Sequence, residues 1–294
     1  MGEHLCKSPL ADKMQEYIRI KKIVGYKFEL ERRWLERYDD YCSANGLDAE
    51  KSLLKKVVEE FIYGVDYEKS STRYNKEKVL SGFAKHLCDS GVAAYVCVRK
   101  SCPKRNTKPP YIYTEKELGD FFRAVDHYPS HPLTNRHLVD PLLFRMMYGC
   151  GLRLGEALLL KLRDVDIKQG TLFIRQAKNN KDRLIPMAES LTRRCGDFVR
   201  KMHSFHSGSV VFFTSPQGGT CANSTVYRRF REYLWAAGIA HSGHGPRIHD
   251  FRHAHCVHCM KRWVLAGKDL MTLLPYLSAY MGHSDFRGTE YYLR

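Results

Sequence analysis

No segment limits the fold of this chain more than residues 99–110, RKSCPKRNTKPP. Its three prolines, Pro103, Pro109 and Pro110, each lack a backbone N–H, and most of its other side chains are basic or polar. Such a stretch serves neither as a helix interior nor as a central strand. It therefore separates two cores. A chain of 294 residues exceeds one ordinary core and suits about two domains. The expected division is 1–104 and 105–294.

Before the linker, apolar residues recur at helical spacing. Met14, Tyr17 and Ile18 form one set, and Leu30, Trp34, Leu35 and Tyr38 the next. Leu53, Val57, Val58, Phe61 and Ile62, then Val79, Phe83 and Leu87, continue the pattern. Asn45-Gly46 is a stop signal between two of these segments. The first domain reads as about four helices. After the linker, Thr114 and Glu117 have the spacing of a capping box, and a further helix is expected from Pro141. The period then changes. Residues 170–175, GTLFIR, and 183–186, RLIP, read as two strands of a small hairpin, with the basic tip KNNKD between them. From Thr225 the helical period returns. The fold class is mainly α, with a small antiparallel sheet in the second domain.

The chain is 44% apolar, enough for real cores, yet no stretch approaches the roughly 20 apolar residues of a membrane span. The N-terminus lacks the continuous apolar run of a secretory signal, and Cys6 stands where a myristoylation motif needs Ser or Thr. The ten scattered cysteines are expected to be reduced thiols in a cytoplasm. The formal net charge is +16. Residues 1–104 hold 20 basic and 16 acidic side chains, and residues 105–294 hold 28 and 16. A basic excess concentrated in the second domain favours a polyanion, most commonly nucleic acid.

Within that domain stand GLRLGE (151–156), Lys178 at the hairpin tip, HDFRH (249–253), Gly282-His283 and Tyr291-Tyr292. Each alone is weak; order and spacing join them. GLRLGEALLLKLRDVD resembles the first arginine box of the tyrosine recombinases, the phage-integrase family. HDFRH resembles the second box, MGHSDFRGTEYY the closing box, and IRQAKNNKDRLIPM the hairpin that carries the family lysine. The resemblance covers residues 111–294 by motif; residues 1–104 match as a helical core-binding domain of the right size and position. It implies that Arg153 and Arg252 clamp the non-bridging oxygens of one DNA phosphate, a task suited to a planar, permanently charged fork. It implies that Tyr292 attacks phosphorus to leave a 3′-phosphotyrosine, that His249 accepts the phenolic proton or orients the group that does, and that Lys178 protonates the departing 5′-oxygen. His283 would hold the phosphate or the tyrosine. Side-chain cations carry the charge, so neither metal nor cofactor is expected.

Glu156, three residues after Arg153, is expected to buttress the site, with an ordinary exposed helix Glu as the alternative. Asp250 is a supporting residue or a helix-start residue. Tyr291 competes with Tyr292, and Lys181 with Lys178; the resemblance favours Tyr292 and Lys178. HAHCVHC (253–259) would bring His255 and Cys259 together on a helix, but lacks the second ligand pair of a usual zinc site. Residues 263–277 lengthen the interval before the last box, and the chain ends two residues after Tyr292, where the family usually continues in a short tail that docks on a neighbour. The expected activity is site-specific recombination of double-stranded DNA by a homo-tetramer on paired sites, at the nucleoid of a bacterium. The rivals are a catalytically silent DNA-binding accessory protein and a type IB topoisomerase.

Overall fold

The computed structural model describes residues 7–102, 109–175, 182–203 and 210–282. The chain divides into two compact units, Met1–Thr107 and Lys108–Arg294.

The first unit contains α1 (Ala11–Ile23), α2 (Glu29–Ala44), α3 (Lys55–Tyr63) and α4 (Ser70–Asp89). Its core is built from the residues that the helical period singles out: Met14 and Tyr17, Leu35 and Tyr38, Val58 and Ile62, Val79, Phe83 and Leu87. Leu30 departs from the pattern, being 55% exposed, and Val57 is only partly buried. Leu30 lies five residues before Leu35, well over a quarter-turn away around α2, and faces solvent. Helix α2 stops at Asn45, followed by Gly46 at φ 59°. The buried Asp39 carboxylate accepts the backbone N–H groups of Lys7 and Ser8, anchoring the approach to α1.

The second unit runs α5 (Glu115–Asp126), α6 (Arg136–Gly149), α7 (Leu154–Leu159), β1 (Val165–Asp166), β2 (Thr171–Ile174), β3 (Arg183–Pro186), α8 (Glu189–Met202), α9 (Asn223–Ala236), α10 (Asp250–Leu265) and α11 (Leu270–Met281). Thr114 and Glu117 close the capping box on α5, with Thr114 Oγ1 accepting the Glu117 N–H at 3.1 Å and Glu117 accepting the Thr114 N–H at 2.8 Å. Helix α6 begins five residues before Pro141, contrary to the sequence reading. The proline sits inside the helix, where it removes one N–H bond, and side-chain packing of α6 outweighs that loss. The buried Asp140 beside it accepts Arg229 at 3.1 Å, Tyr233 at 2.8 Å and Arg136 at 3.2 Å, tying α6 to α9.

The sheet is antiparallel in the order β1-β2-β3. The hairpin is as the alternation implies; β1, two residues long, carries too little pattern to read from sequence. In β2–β3 the pairs are Leu172 with Ile185 and Ile174 with Arg183. Leu172, Ile174 and Ile185 are all buried, so the two-residue period turns Arg183 inward as well. An aromatic core of Phe121, Phe144, Phe230, Tyr233 and Phe251 joins α5, α6, α9 and α10. Phe251 stacks on Tyr113 at 5.0 Å and meets Phe121 edge-on at 5.1 Å. Burying one such ring contributes about 2–3 kcal/mol, so the centre of HDFRH is an anchor that fixes the start of α10.

Candidate active site

Phe251 points into the core, and its neighbours in HDFRH are thereby held at the start of α10. Arg252 is 1% exposed. Its Nη1 donates to the Gly151 carbonyl at 2.5 Å, and its Nη2 donates to the Met281 carbonyl. One guanidinium thus joins the loop before Arg153 to the end of α11, which leads into the closing motif. Gly151 makes this approach possible. Its φ is +59°, and a Cβ there would sit 2.8 Å from Met281 Sδ and 3.2 Å from the His255 ring.

Arg153 is the residue before α7, and Glu156 is in that helix's first turn. Arg153 Nη1 donates to Glu156 Oε1 at 2.7 Å, and its backbone N–H donates to Oε2 at 2.9 Å. Glu156 is therefore not an ordinary exposed helix residue: its side chain is 8% exposed. Arg183 from β3 grips the same carboxylate with both prongs, Nη1 at 3.0 Å and Nη2 at 2.8 Å. Burial acts to raise the Glu156 pKa, but the hydrogen bonds and charges of Arg183 and Arg153 outweigh it and hold the carboxyl at about 2.

His249 immediately precedes α10 and meets His253 edge-on, with ring centroids 4.8 Å apart. Desolvation by the surrounding protein, then the nearby His253, Arg252 and Arg153, hold its pKa down at about 4. Burial is thus the main reason that the imidazole is neutral near pH 7, and the charges of two of the expected cations act in the same direction. Asp250 is fully buried at the first position of α10. It accepts the Arg247 backbone N–H at 2.7 Å and the Arg247 guanidinium at 3.1 and 3.2 Å, and His253 Nε2 lies 3.9 Å away. That arrangement ties the loop before α10 to the first turn of the helix.

Arg153, Glu156, His249, Asp250 and Arg252 are accordingly brought to one region. Lys178 and its competitor Lys181, His283, and the tyrosines Tyr291 and Tyr292 lie outside the described residues. The residue that sequence reasoning missed is Arg183. Its signal was the two-residue alternation, which places it on the face of Ile185.

The Cys/His cluster is dispersed over α10. His255 stacks on Tyr280 at 5.6 Å and approaches Cys259 at 3.7 Å, while His258 hydrogen-bonds the Tyr148 hydroxyl at 2.9 Å. Among the described residues no three His, Cys, Asp or Glu side chains are grouped to hold a metal ion. No helix among them is long and apolar enough to cross a membrane.

Residues 113–294 match the model of the phage integrase family. A relative named for integrase/recombinase activity, y4rB of Sinorhizobium fredii, is 29% identical over 290 residues, covering 95% of this chain and 91% of its own. Tyrosine recombinase XerC of Oceanobacillus iheyensis is 25% identical over 290 residues, covering 96% and 90%. The structure of the XerH site-specific recombinase bound to its difH substrate aligns with a TM-score of 0.66 at 17% identity, covering 96% of this chain and 81% of that one. That likeness extends the fold agreement beyond the motifs.

Proposed function

Because this chain belongs to the phage integrase family, we propose that it is a site-specific DNA recombinase acting through a 3′-phosphotyrosine. The observation that carries this reading is the convergence of Arg153, Arg252 and a neutral His249 in one region, a cationic surrounding with a built-in proton acceptor. In the proposed step the Tyr292 oxygen forms a bond to phosphorus, and the bond from phosphorus to the 5′-oxygen breaks. The phenolic proton passes to His249, and Lys178 supplies a proton to the leaving oxygen. Arg153 and Arg252 offset the charge on the pentacoordinate phosphorus, with His283 as a further hydrogen-bond donor. The phosphotyrosine conserves the cleaved bond, so religation by the 5′-hydroxyl needs no nucleotide.

Residues 1–104 are assigned as the core-binding domain and 105–294 as the catalytic domain, together gripping double-stranded DNA. Each chain offers one nucleophile. Exchanging strands between two duplexes breaks four strands, so four copies on paired sites complete the reaction. The setting we assign is the bacterial cytoplasm, at the nucleoid.

A nicked suicide substrate, made from DNA flanking the gene, tests the reading. The purified protein is expected to form a covalent protein–DNA adduct in EDTA and without ATP. Tyr292→Phe is expected to abolish the adduct and leave DNA binding nearly intact. An adduct that survives in Tyr292→Phe and vanishes in Tyr291→Phe would move the nucleophile by one residue. A protein that binds DNA and forms no adduct would be the silent accessory protein, and relaxation of plasmid without any special sequence would indicate a topoisomerase.

A further inference from the structure

Arg183 stands in the hairpin stretch that resembles the family's lysine segment, where the resemblance gives it no role, yet it grips the same carboxylate as Arg153. Its side chain is 9% exposed, and both of its terminal nitrogens donate to Glu156. Among the described residues the guanidinium makes no other hydrogen bond, and its Nε is buried without a partner. A lone buried arginine bonded to one carboxylate is an expensive way to join a strand to a helix, because apolar residues of similar volume do so without desolvating a charge. What the arginine supplies that an apolar residue cannot is its charge.

We propose that Arg183 is a positioning residue for the recombination chemistry: by sharing Glu156, it leaves the Arg153 guanidinium with an unneutralised positive charge for the scissile phosphate. This rests on the recombinase reading above. Arg153, Arg183 and Glu156 together carry two positive charges and one negative charge. Without Arg183, the full carboxylate charge falls on Arg153, at 2.7 Å, and that arm of the phosphate clamp becomes a neutral ion pair. With Arg183 and Arg153 both in place the Glu156 carboxyl is held at about 2, so in the intact site it carries a full negative charge that has to be offset. The arrangement also explains why Glu156 is tolerated beside a phosphate site: it orients Arg153 through two bonds, and Arg183 cancels its charge.

A second observation connects Arg183 with the closing motif. Gly282 caps α11 at φ +63°, and a Cβ there would sit 3.0 Å from Arg183 Cδ and Nη1. The guanidinium fills the space against the glycine that immediately precedes His283. Arg183 therefore touches both the first and the last motif while lying in neither.

The test uses the full chain and the nicked substrate, measuring DNA affinity, the rate of adduct formation and the melting temperature. Arg183→Met is expected to slow adduct formation about 100-fold, with DNA affinity within about threefold of the parent. The double variant Arg183→Met/Glu156→Gln, which removes the uncancelled carboxylate, is expected to recover at least tenfold of that rate. Neutralising the partner carboxylate would restore the melting temperature of a merely structural arginine variant too, so the recovery is read as rate, at a temperature well below the melting points of all variants. Arg183→Lys keeps the charge while losing the two-pronged geometry, and it guards against misfolding of the methionine variant; its rate is expected to stay within about tenfold of the parent. A double variant no faster than Arg183→Met, or a lysine variant as slow as the methionine one, overturns the proposal. If the unmodified chain forms no adduct at all, the recombinase reading itself has failed; if it does and Arg183→Met matches its rate, only the role of Arg183 has.

Discussion

Arg153 and Arg252 carry the same charge and sit in very different surroundings. Arg252 is enclosed and holds two backbone carbonyls, whereas the Arg153 side chain is 24% exposed and shares its carboxylate with another cation. Truncation should therefore separate stability from catalysis. Arg252→Ala leaves a cavity and two buried carbonyls without their donor, and is expected to cost about 3 kcal/mol of stability. Arg153→Ala leaves Glu156 still paired with Arg183 and is expected to cost about 1 kcal/mol. Both should slow cleavage strongly, and denaturant melts of the two variants would reveal equal losses if this difference in environment were immaterial. The histidines make a second prediction. His249 and the buried His255 are both held at about 4, below the ordinary value of 6.5, chiefly by desolvation. The unfolded chain therefore takes up protons first as pH falls. Their contribution to stability is complete above about pH 6.5 and declines from there towards pH 4. Unfolding at pH 7 and pH 5 is expected to show lower stability at pH 5, and replacing His255 by a neutral side chain should reduce that slope.

At the scale of elements, the site is an assembly of ends. Arg153 precedes α7, His249 precedes α10, Gly282 follows α11, and Arg183 opens β3. Helix and strand ends leave the backbone free to turn a side chain out of the packed faces, while Phe251, one residue after Asp250, locks α10 in the aromatic core. Gly282 is the most exacting of these ends, because its positive φ and its contact with Arg183 both require the absence of a side chain. Gly282→Ala is expected to lose about 1–2 kcal/mol of stability and to slow adduct formation, since the added methyl must push against the Arg183 guanidinium. Adduct formation at the parental rate would show that the contact has no bearing on the site.

For the molecule as a whole, the formal charge of +16, weighted towards residues 105–294, predicts salt-sensitive DNA binding. Each phosphate contact that displaces a counterion contributes roughly −0.9 to the slope of log affinity against log salt. Several contacts would give a steep decline between low and physiological salt, measurable by titration on a duplex of any sequence. A flat titration would remove nucleic acid as the partner. The same long-range field would speed encounter with DNA without selecting a site, which only contacts to base edges can do.

Much of this molecule is legible from residue order alone. Apolar spacing reports which face of a helix is buried, and so Met14, Leu35 and Phe83 appear as core from their periods. The capping box at Thr114 and the antiparallel pairing of β2 with β3 follow from local bonding and residue alternation. Glu156 is visible as a neighbour of Arg153, because three residues is nearly one helical turn. Other features depend on partners far along the chain. Arg252 meets carbonyls 101 and 29 residues away, and Arg183 meets a carboxylate 27 residues away. The alternation shared with Ile185 turns Arg183 inward, but which carboxylate it meets there is not encoded in its own neighbours; that follows from what packs against the face. The same is true of Pro141, which reads as a helix start until the packing of residues 136–140 outweighs its missing hydrogen bond. Local interactions act along the chain and leave a periodic trace, whereas the charge balance of Arg153, Glu156 and Arg183 exists only once α7 and β3 are side by side.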